Sequence, residues 1–480
     1  MKRLLFVLSI FLLVLGYPLM AQSTYSDYFI NTSQTRSSLN PAFRPKQGYI
    51  GVPFLSNIYV DAKTNSLNLD HLTFKKEGTI VSFLHPSVGI GEFLSAMGEN
   101  NYLSVNANYR IASIGFYDKK EGFWTIDLGV RAIADVNIPK SLFDMAKRGL
   151  SDDENDVFEY NINNAKANAS AYIELGGGYS HPLLENSLLI GAKAKVLLGL
   201  ANMNLDIKQF NASVGHDKWV VRTKATLDAS LPGIAPTYDE DGIFDKAKWN
   251  ENFGISGFGL GVDLGAVYRF ETLSQSISNK SIQNILGKLQ ASLAFTDIGF
   301  ISWKEGNSMK LSTPSHEVVI SPRDRVITEM MDEYFEDLLN DFEEAVNLKE
   351  TASEKGGKST ALYTTMNVGL EYEAWGNNLS VGLLSSTRLV GSHTITEFTL
   401  SGNYNPEKIK WLATTLSYSF MHNKFNSIGL ALHLTPSKWI NFFIASDYWV
   451  PKLNKEFLPT TSKAMNIQFG LSVPIGRLIN

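Results

Sequence analysis

The stretch that decides the fold is FGLGVDLGAVYRF, Phe258 to Phe270. Phe258, Leu260, Val262, Leu264, Ala266, Tyr268 and Phe270 alternate with Gly259, Gly261, Asp263, Gly265, Val267 and Arg269. Period-two alternation marks a β-strand with two unlike environments. A half-buried strand of a soluble protein turns branched residues to its core and Lys, Glu or Thr to water. Here one face is wholly apolar, while the other mixes glycine with a carboxylate and a guanidinium. That combination suits hydrocarbon on one side and a polar, crowded interior on the other, with the glycines leaving room for something to approach closely.

The pattern recurs along the chain. Leu103, Val105, Ala107, Tyr109 and Ile111 oppose Ser104, Asn106, Asn108 and Arg110; Trp124, Ile126, Leu128, Val130 and Ala132 oppose Thr125, Asp127, Gly129 and Arg131. Leu188, Ile190, Ala192, Ala194, Val196 and Leu198 face away from Gly191, Lys193, Lys195 and Gly199. Similar runs begin at Met366, Leu412 and Met465. Each is about the 9–11 residues that a tilted strand needs to cross a bilayer. The candidates for the interior face are therefore Arg110, Asp127, Arg131, Lys193, Lys195, Asp263, Arg269 and Glu371. Lys193 and Lys195 are expected to pair with Asp127, Asp263 or Glu371, because an unpaired charge is costly away from water.

Residues 1–21 read as a secretory signal: Lys2 and Arg3, an apolar run from Leu4 to Leu15, breakers at Gly16 and Pro18, and cleavage after Ala21. No later stretch supplies the roughly 18 apolar residues of a spanning helix. The chain of 480 residues has no cysteine, which excludes disulfides, a lipidated cysteine and thiolate chemistry. Its formal charge of −5 becomes −7 when Lys2 and Arg3 leave with the signal, which argues against nucleic acid as a partner.

Loop lengths divide into two sets. Short turns near 118–122, 181–186, 271–284, 376–378, 405–409 and 435–438 alternate with long segments at about 61–101, 136–165, 206–254, 304–360 and 450–462. Outer-membrane barrels place short turns in the periplasm and long loops outside. The reading is an all-β transmembrane barrel of about 14 antiparallel strands, residues 48–480, exported to the outer membrane as a monomer among its lipids. It requires 217–229 to form part of an external ribbon. Trp303, Trp375, Trp411 and Trp439, each beside a turn, are expected at the membrane interface. A soluble sandwich or propeller also has many strands, but the chain shows no blade-length repeat.

Chemistry-bearing motifs are sparse. Met331, Phe335, Leu338, Phe342 and Val346 fall on one face of an amphipathic acidic helix within the outer segment 304–360. A shorter helix is expected after Pro139, with Leu142, Phe143 and Ala146 on one side and Gly149 as its stop. Acids at 152–156 and 239–241 lack the glycine placement of a calcium loop and read as solvated. The eight histidines show no paired ligand spacing, so no metal or other cofactor is expected. His433, alternating in phase with an inward face near Ser417 and Ser419, is the one hint of hydrolase chemistry, and the overall expectation is a protein that is not an enzyme.

Between the signal and the first strand stands SSLNPAFRP, Ser37 to Pro45, whose prolines keep it out of a central strand. With this stretch the chain resembles the FadL-like outer-membrane barrels of the long-chain fatty acid transporter type, which have 14 strands and an N-terminal hatch with an Asn-Pro-Ala motif; Asn40, Pro41 and Ala42 match it. Over the whole mature chain, SLNPAFRP, GAKAKVLLGLA, GFGLGVDLGAVYRF, FTDIGFISW, MNVGLEYE and MNIQFGLSVPIG are similar to a Gram-negative outer-membrane family catalogued as a domain of unknown function. The resemblance implies that residues 22–47 are a plug or hatch and that an apolar small molecule is taken up or exchanged. The alternative is a surface or secretion-system scaffold that binds another protein through its outer loops. The chain departs from the pattern in ending GRLIN, without a terminal aromatic residue.

Overall fold

The computed structural model describes residues 23–476 apart from 67–72, 77–78, 83–84, 86, 96, 149–156, 216–217, 233, 239–243, 250–253, 305–307, 314–315, 321–348, 351–357, 376–377, 391–392, 407–408, 410, 422–424, 438 and 450–462. The signal, the acidic helix, both acidic clusters and the terminal GRLIN lie wholly or largely outside the described residues.

Fourteen antiparallel staves close into a barrel. The first, β1, is made of Gly48–Gly51 and Asn57–Thr64. Then follow β2 (Asn100–Tyr117), β3 (Phe123–Pro139), β4 (Ala165–Leu183), β5 (Leu188–Gly215), β6 (Gly257–Arg269) and β7 (Leu289–Trp303). The other half is β8 (Thr365–Trp375), β9 (Leu379–Val390), β10 (His393–Tyr404), β11 (Leu412–Met421), β12 (Phe425–Ser437), β13 (Ile440–Ser446) and β14 (Ala464–Ile475). Closure comes from β14, which pairs with both parts of β1, Gly48 opposite Ile475 and Ile58 opposite Phe469. Full closure satisfies every strand edge, as hydrocarbon demands.

The alternation read from the sequence places side chains as expected. Phe258, Leu260 and Leu264 are about half exposed on the outer surface, at 54%, 51% and 47%, while Asp263 between them is 1% exposed. An apolar outer band around a closed wall supports an outer-membrane location. Among the described residues no helix is long and apolar enough to cross a membrane.

The far half of β5 continues beyond the barrel and pairs with Trp219–Ser230, which in turn pairs with Ser308–Ser312 and His316–Ile320. Residues 219–229 of the expected ribbon thus do pair in a ribbon at the long-loop end. Tyr160, Ile162, Phe210, Val214 and Trp219 form an apolar core there, against which Leu142 and Met145 pack. These last two lie on the helix Lys140–Arg148, which follows Pro139 as the sequence indicated.

Trp375, Trp411 and Trp439 are exposed beside short turns. Trp303 corrects the expectation made for it. It is 1% exposed, turned inward against Tyr172, Leu197 and Ile301, and its indole N–H donates to Thr360 Oγ1 at 2.8 Å. The cause is a phase change at Thr296 and Asp297, consecutive residues that are both buried, after which Phe300 faces out and Ile301 and Trp303 face in.

Candidate functional site

The interior is layered, and β5 gives the order. Its inward positions run Leu189, Gly191, Lys193, Lys195, Leu197 and Gly199 from the short-turn end toward the long loops. On the antiparallel neighbour β6 the matching positions are Val267, Gly265, Asp263, Gly261, Gly259 and Gly257, with Gly265 opposite Gly191 and Asp263 opposite Lys193.

At the short-turn end residues 23–47 lie against this inner face. Asn40 Nδ2 donates to the carbonyls of Ala266 and Leu293 at 3.3 and 3.4 Å, while its Oδ1 accepts from Ala42 N at 2.9 Å. A Cβ on Gly265 would collide with Asn40 Oδ1, and one on Gly191 would collide with the Pro41 carbonyl. Gly265 of the deciding stretch and Gly191 of β5 therefore make a recess for Asn40 and Pro41. Ala42 O accepts from Ser180 Oγ at 2.9 Å, and Leu39 O accepts from Asn367 Nδ2 at 2.8 Å. Tyr28, Phe29, Leu39, Ala42 and Phe43 join Leu189, Val267 and Leu384 of the wall in one apolar cluster.

The start of the segment is pinned from across the barrel. Asp447 accepts from the backbone N–H groups of Tyr25 and Ser26 at 2.8 and 2.7 Å, and Gln468 Oε1 accepts from Thr24 N at 2.6 Å. Within the segment Asp27 accepts from Ser33 Oγ at 2.6 Å and from the Thr35 hydroxyl. Burial pushes its carboxyl up to about 6, with the Asp447 charge adding to the effect and the two hydroxyls and Arg36 opposing it. The backbone-to-backbone hydrogen bonds of residues 24–46, among those described, close within the segment, as in Ile30 N to Asp27 O and Phe43 N to Asn40 O.

Above the segment lies a belt of buried charge. Arg110 Nε is 3.5 Å from Asp127, whose other oxygen is 3.0 Å from Lys193 Nζ. Lys193 continues to Glu174 at 3.1 Å, and Glu174 to Arg131 at 3.0 Å. Arg131 grips Asp297 through both terminal nitrogens, at 2.6 and 2.8 Å. Lys195 lies 2.6 Å from both Asp263 and Asp297, and Asp263 Oδ1 also accepts from Asp297 N at 2.7 Å. Four cations balance four carboxylates, the condition under which buried charges are tolerated. A cavity of about 10 Å³, the size of one water, is lined by Asn108, Arg110, Asp127, Gly129, Arg131 and Glu174.

Seven of the eight side chains proposed from sequence for the interior are buried, and six of them, Arg110, Asp127, Arg131, Lys193, Lys195 and Asp263, meet in the belt. Glu371 stands apart from it: it accepts from Ser380 Oγ at 2.6 Å and from Gln290 Nε2 at 3.3 Å rather than from either lysine. Arg269 is exposed at the end of β6, its Nε 3.4 Å from Gln290 Oε1. Glu174 and Asp297 complete the belt and were missed. The run Ile173, Glu174, Leu175 carries the alternating signal for the first, whereas Asp297 sits at the phase change, with φ +59°. His433 Nδ1 lies 2.6 Å from Thr32 Oγ1, an anchor for the N-terminal segment in place of a pairing with Ser417 or Ser419.

Beyond the belt the interior turns apolar again, with Tyr172, Leu197, Ile301, Trp303 and Leu362 in contact.

Residues 41–447 match the profile of a protein family described as Family of unknown function (DUF5723). A search of curated proteins returns no match. Among solved structures, the TodX deltaS2 mutant monoaromatic hydrocarbon channel is similar at 10% identity and a TM-score of 0.39, over 94% of this chain and 100% of that one. The TodX deltaS2S3 mutant gives 9% identity and 0.38, over 92% and 94%. The siderophore receptor PirA from Pseudomonas aeruginosa gives 8% and 0.22, over 89% and 81%. Likeness at this level carries no argument about cargo.

Proposed function

The chain belongs to the DUF5723 family of unknown function, and we propose that its barrel is a gated outer-membrane carrier that takes up or exchanges an apolar small molecule. In this reading residues 22–47 are the plug, and Asn40, Pro41 and Ala42 are the wedge that must leave its recess. The observation that carries it is how the segment is held. Side chains such as Asn40, Asn367, Asp447 and Gln468 hold it to the wall, while its backbone-to-backbone bonds close locally. It can withdraw without breaking a single ladder of the wall. Apolar clusters on both sides of the belt supply surfaces that a hydrophobic solute would meet in transit.

The test compares uptake of radiolabelled apolar solutes of graded size by cells carrying the intact chain and cells carrying a deletion of Ser37–Arg44. Altered uptake with a normally folded barrel supports the carrier; unchanged uptake by the deletion and by cells without the protein overturns it. A deletion that only prevents folding would make the segment structural.

The closed, ion-paired belt favours one other reading, a non-transporting scaffold that holds a surface or secretion-system protein on the outer ribbon. Gentle extraction followed by mass spectrometry separates the two, since a carrier retains a stoichiometric apolar molecule and a scaffold a stoichiometric protein.

A further inference from the structure

The belt touches the N-terminal segment at one end and an irregular part of the wall at the other. Arg110 Nη2 donates to Ser38 Oγ at 2.6 Å. From Arg110 the ion pairs lead through Asp127, Lys193, Glu174 and Arg131 to Asp297. Asp297 sits where the β6–β7 ladder loses register, between the pairs Val262–Ile298 and Leu264–Phe295.

The ladder on the other side of β7 is broken at the same height. Thr296 pairs with Thr365 of β8, but Phe300 pairs with Ala361 of the preceding strand Lys358–Ala361. The step between them, residues 362–364, is held by Leu362 N donating to Gly299 O at 2.9 Å and Thr364 Oγ1 donating to Asp297 O at 3.1 Å. The bulge thus has irregular pairing on both flanks, and its one charged side chain is gripped by Arg131 and Lys195.

We infer that the ion belt is a mechanical link between segment and wall. Withdrawal of the segment frees Arg110, shifts the chain of pairs and loosens the wall at 296–299 and 362–364; loosening the wall there weakens the hold on the segment in return. The link rests on reading 22–47 as a plug that moves. Its physical basis is that a buried charge is stable only while its partners stay in place, so one displaced member forces the next to adjust. Equilibrium coupling is reciprocal, and that reciprocity separates a link from two local defects.

Hydrogen exchange on the full-length chain in lipid nanodiscs tests this without any cargo. Ser38→Ala is expected to speed exchange of the amides at 298–299 and 362–364 about fivefold or more, with β11 on the far side unchanged. Thr364→Val is expected to do the same to the amides of residues 38–40 and 42. Asp297→Asn is the stronger perturbation from the wall side, and Thr364→Val keeps the experiment decisive if that variant fails to fold. Purely local changes in both directions overturn the link. Failed uptake with reciprocal exchange intact would refute the carrier and leave the link standing.

Discussion

Gly191 and Gly265 stand opposite one another in the ladder between β5 and β6, and the space left by their missing side chains is filled by Pro41 and Asn40. Gly265→Ala is expected to push the wedge out, because the new methyl meets the Asn40 side chain, which itself bonds two strand carbonyls. Overpacking of this kind costs about 1–3 kcal/mol. The check is labelling of a cysteine placed at Ser37, which should react faster in the Gly265→Ala barrel than in the parent; equal rates would show that the wedge stays seated.

The belt predicts a graded response to neutralisation. Asp297→Asn leaves Arg131 and Lys195 each short of a carboxylate and is expected to destabilise the barrel by about 3–5 kcal/mol, as breaking a buried pair does. Arg269→Gln, at the exposed end of β6, should change stability by less than about 0.5 kcal/mol. Urea unfolding in lipid vesicles, with both variants measured side by side, checks the contrast.

Asp27 makes the seating of the segment depend on pH. Burial raises its carboxyl to about 6 in the seated state, above the value of about 3.9 for a free carboxyl. The seated state therefore holds the proton more tightly, and this contribution is complete below about 4 and lost as pH rises through about 6. The segment should be better protected from protease at pH 5 than at pH 7.5, and Asp27→Asn should flatten that difference. A protection profile that falls on acidification would contradict the assignment.

Trp303 and Trp439 should report opposite environments. In single-tryptophan variants reconstituted with brominated lipid, Trp439, 79% exposed, is expected to be quenched strongly and Trp303 hardly at all. Comparable quenching would place Trp303 back at the lipid interface.

These tryptophans also show what the sequence can convey. Where alternation is unbroken, as over Phe258–Tyr268, reading every second residue separates the outer face from the inner one, and the charges at Lys193, Lys195, Asp127 and Asp263 follow directly. Alternation carries no warning of a bulge. At Thr296 and Asp297 two successive side chains turn inward, so any reading carried through in one phase sends Ile301 and Trp303 to the wrong side and hides Asp297. At Ile111, where the β2–β3 register shifts between Arg110 and Ala112, the same slip brings Ser113 inward. Asn40 and Pro41 stood out only through a resemblance, and the recess they fill joins glycines 74 positions apart and depends on strand register. Pairing of Glu371 with a lysine failed for a related reason: the face was right and the height along the barrel was not.

The eight belt charges are spread over six consecutive staves, β2 to β7, with no stave carrying more than two. A lone β-hairpin from this half, Lys193 and Lys195 of β5 with Asp263 of β6 for instance, would bring mismatched charge into hydrocarbon, where such groups are expensive. The full set of pairs exists only when β2 to β7, six of the fourteen staves, are together. A charge pattern of this kind disfavours threading one hairpin after another into bare lipid and favours gathering the sheet at a sheltered, hydrated site before it meets the membrane.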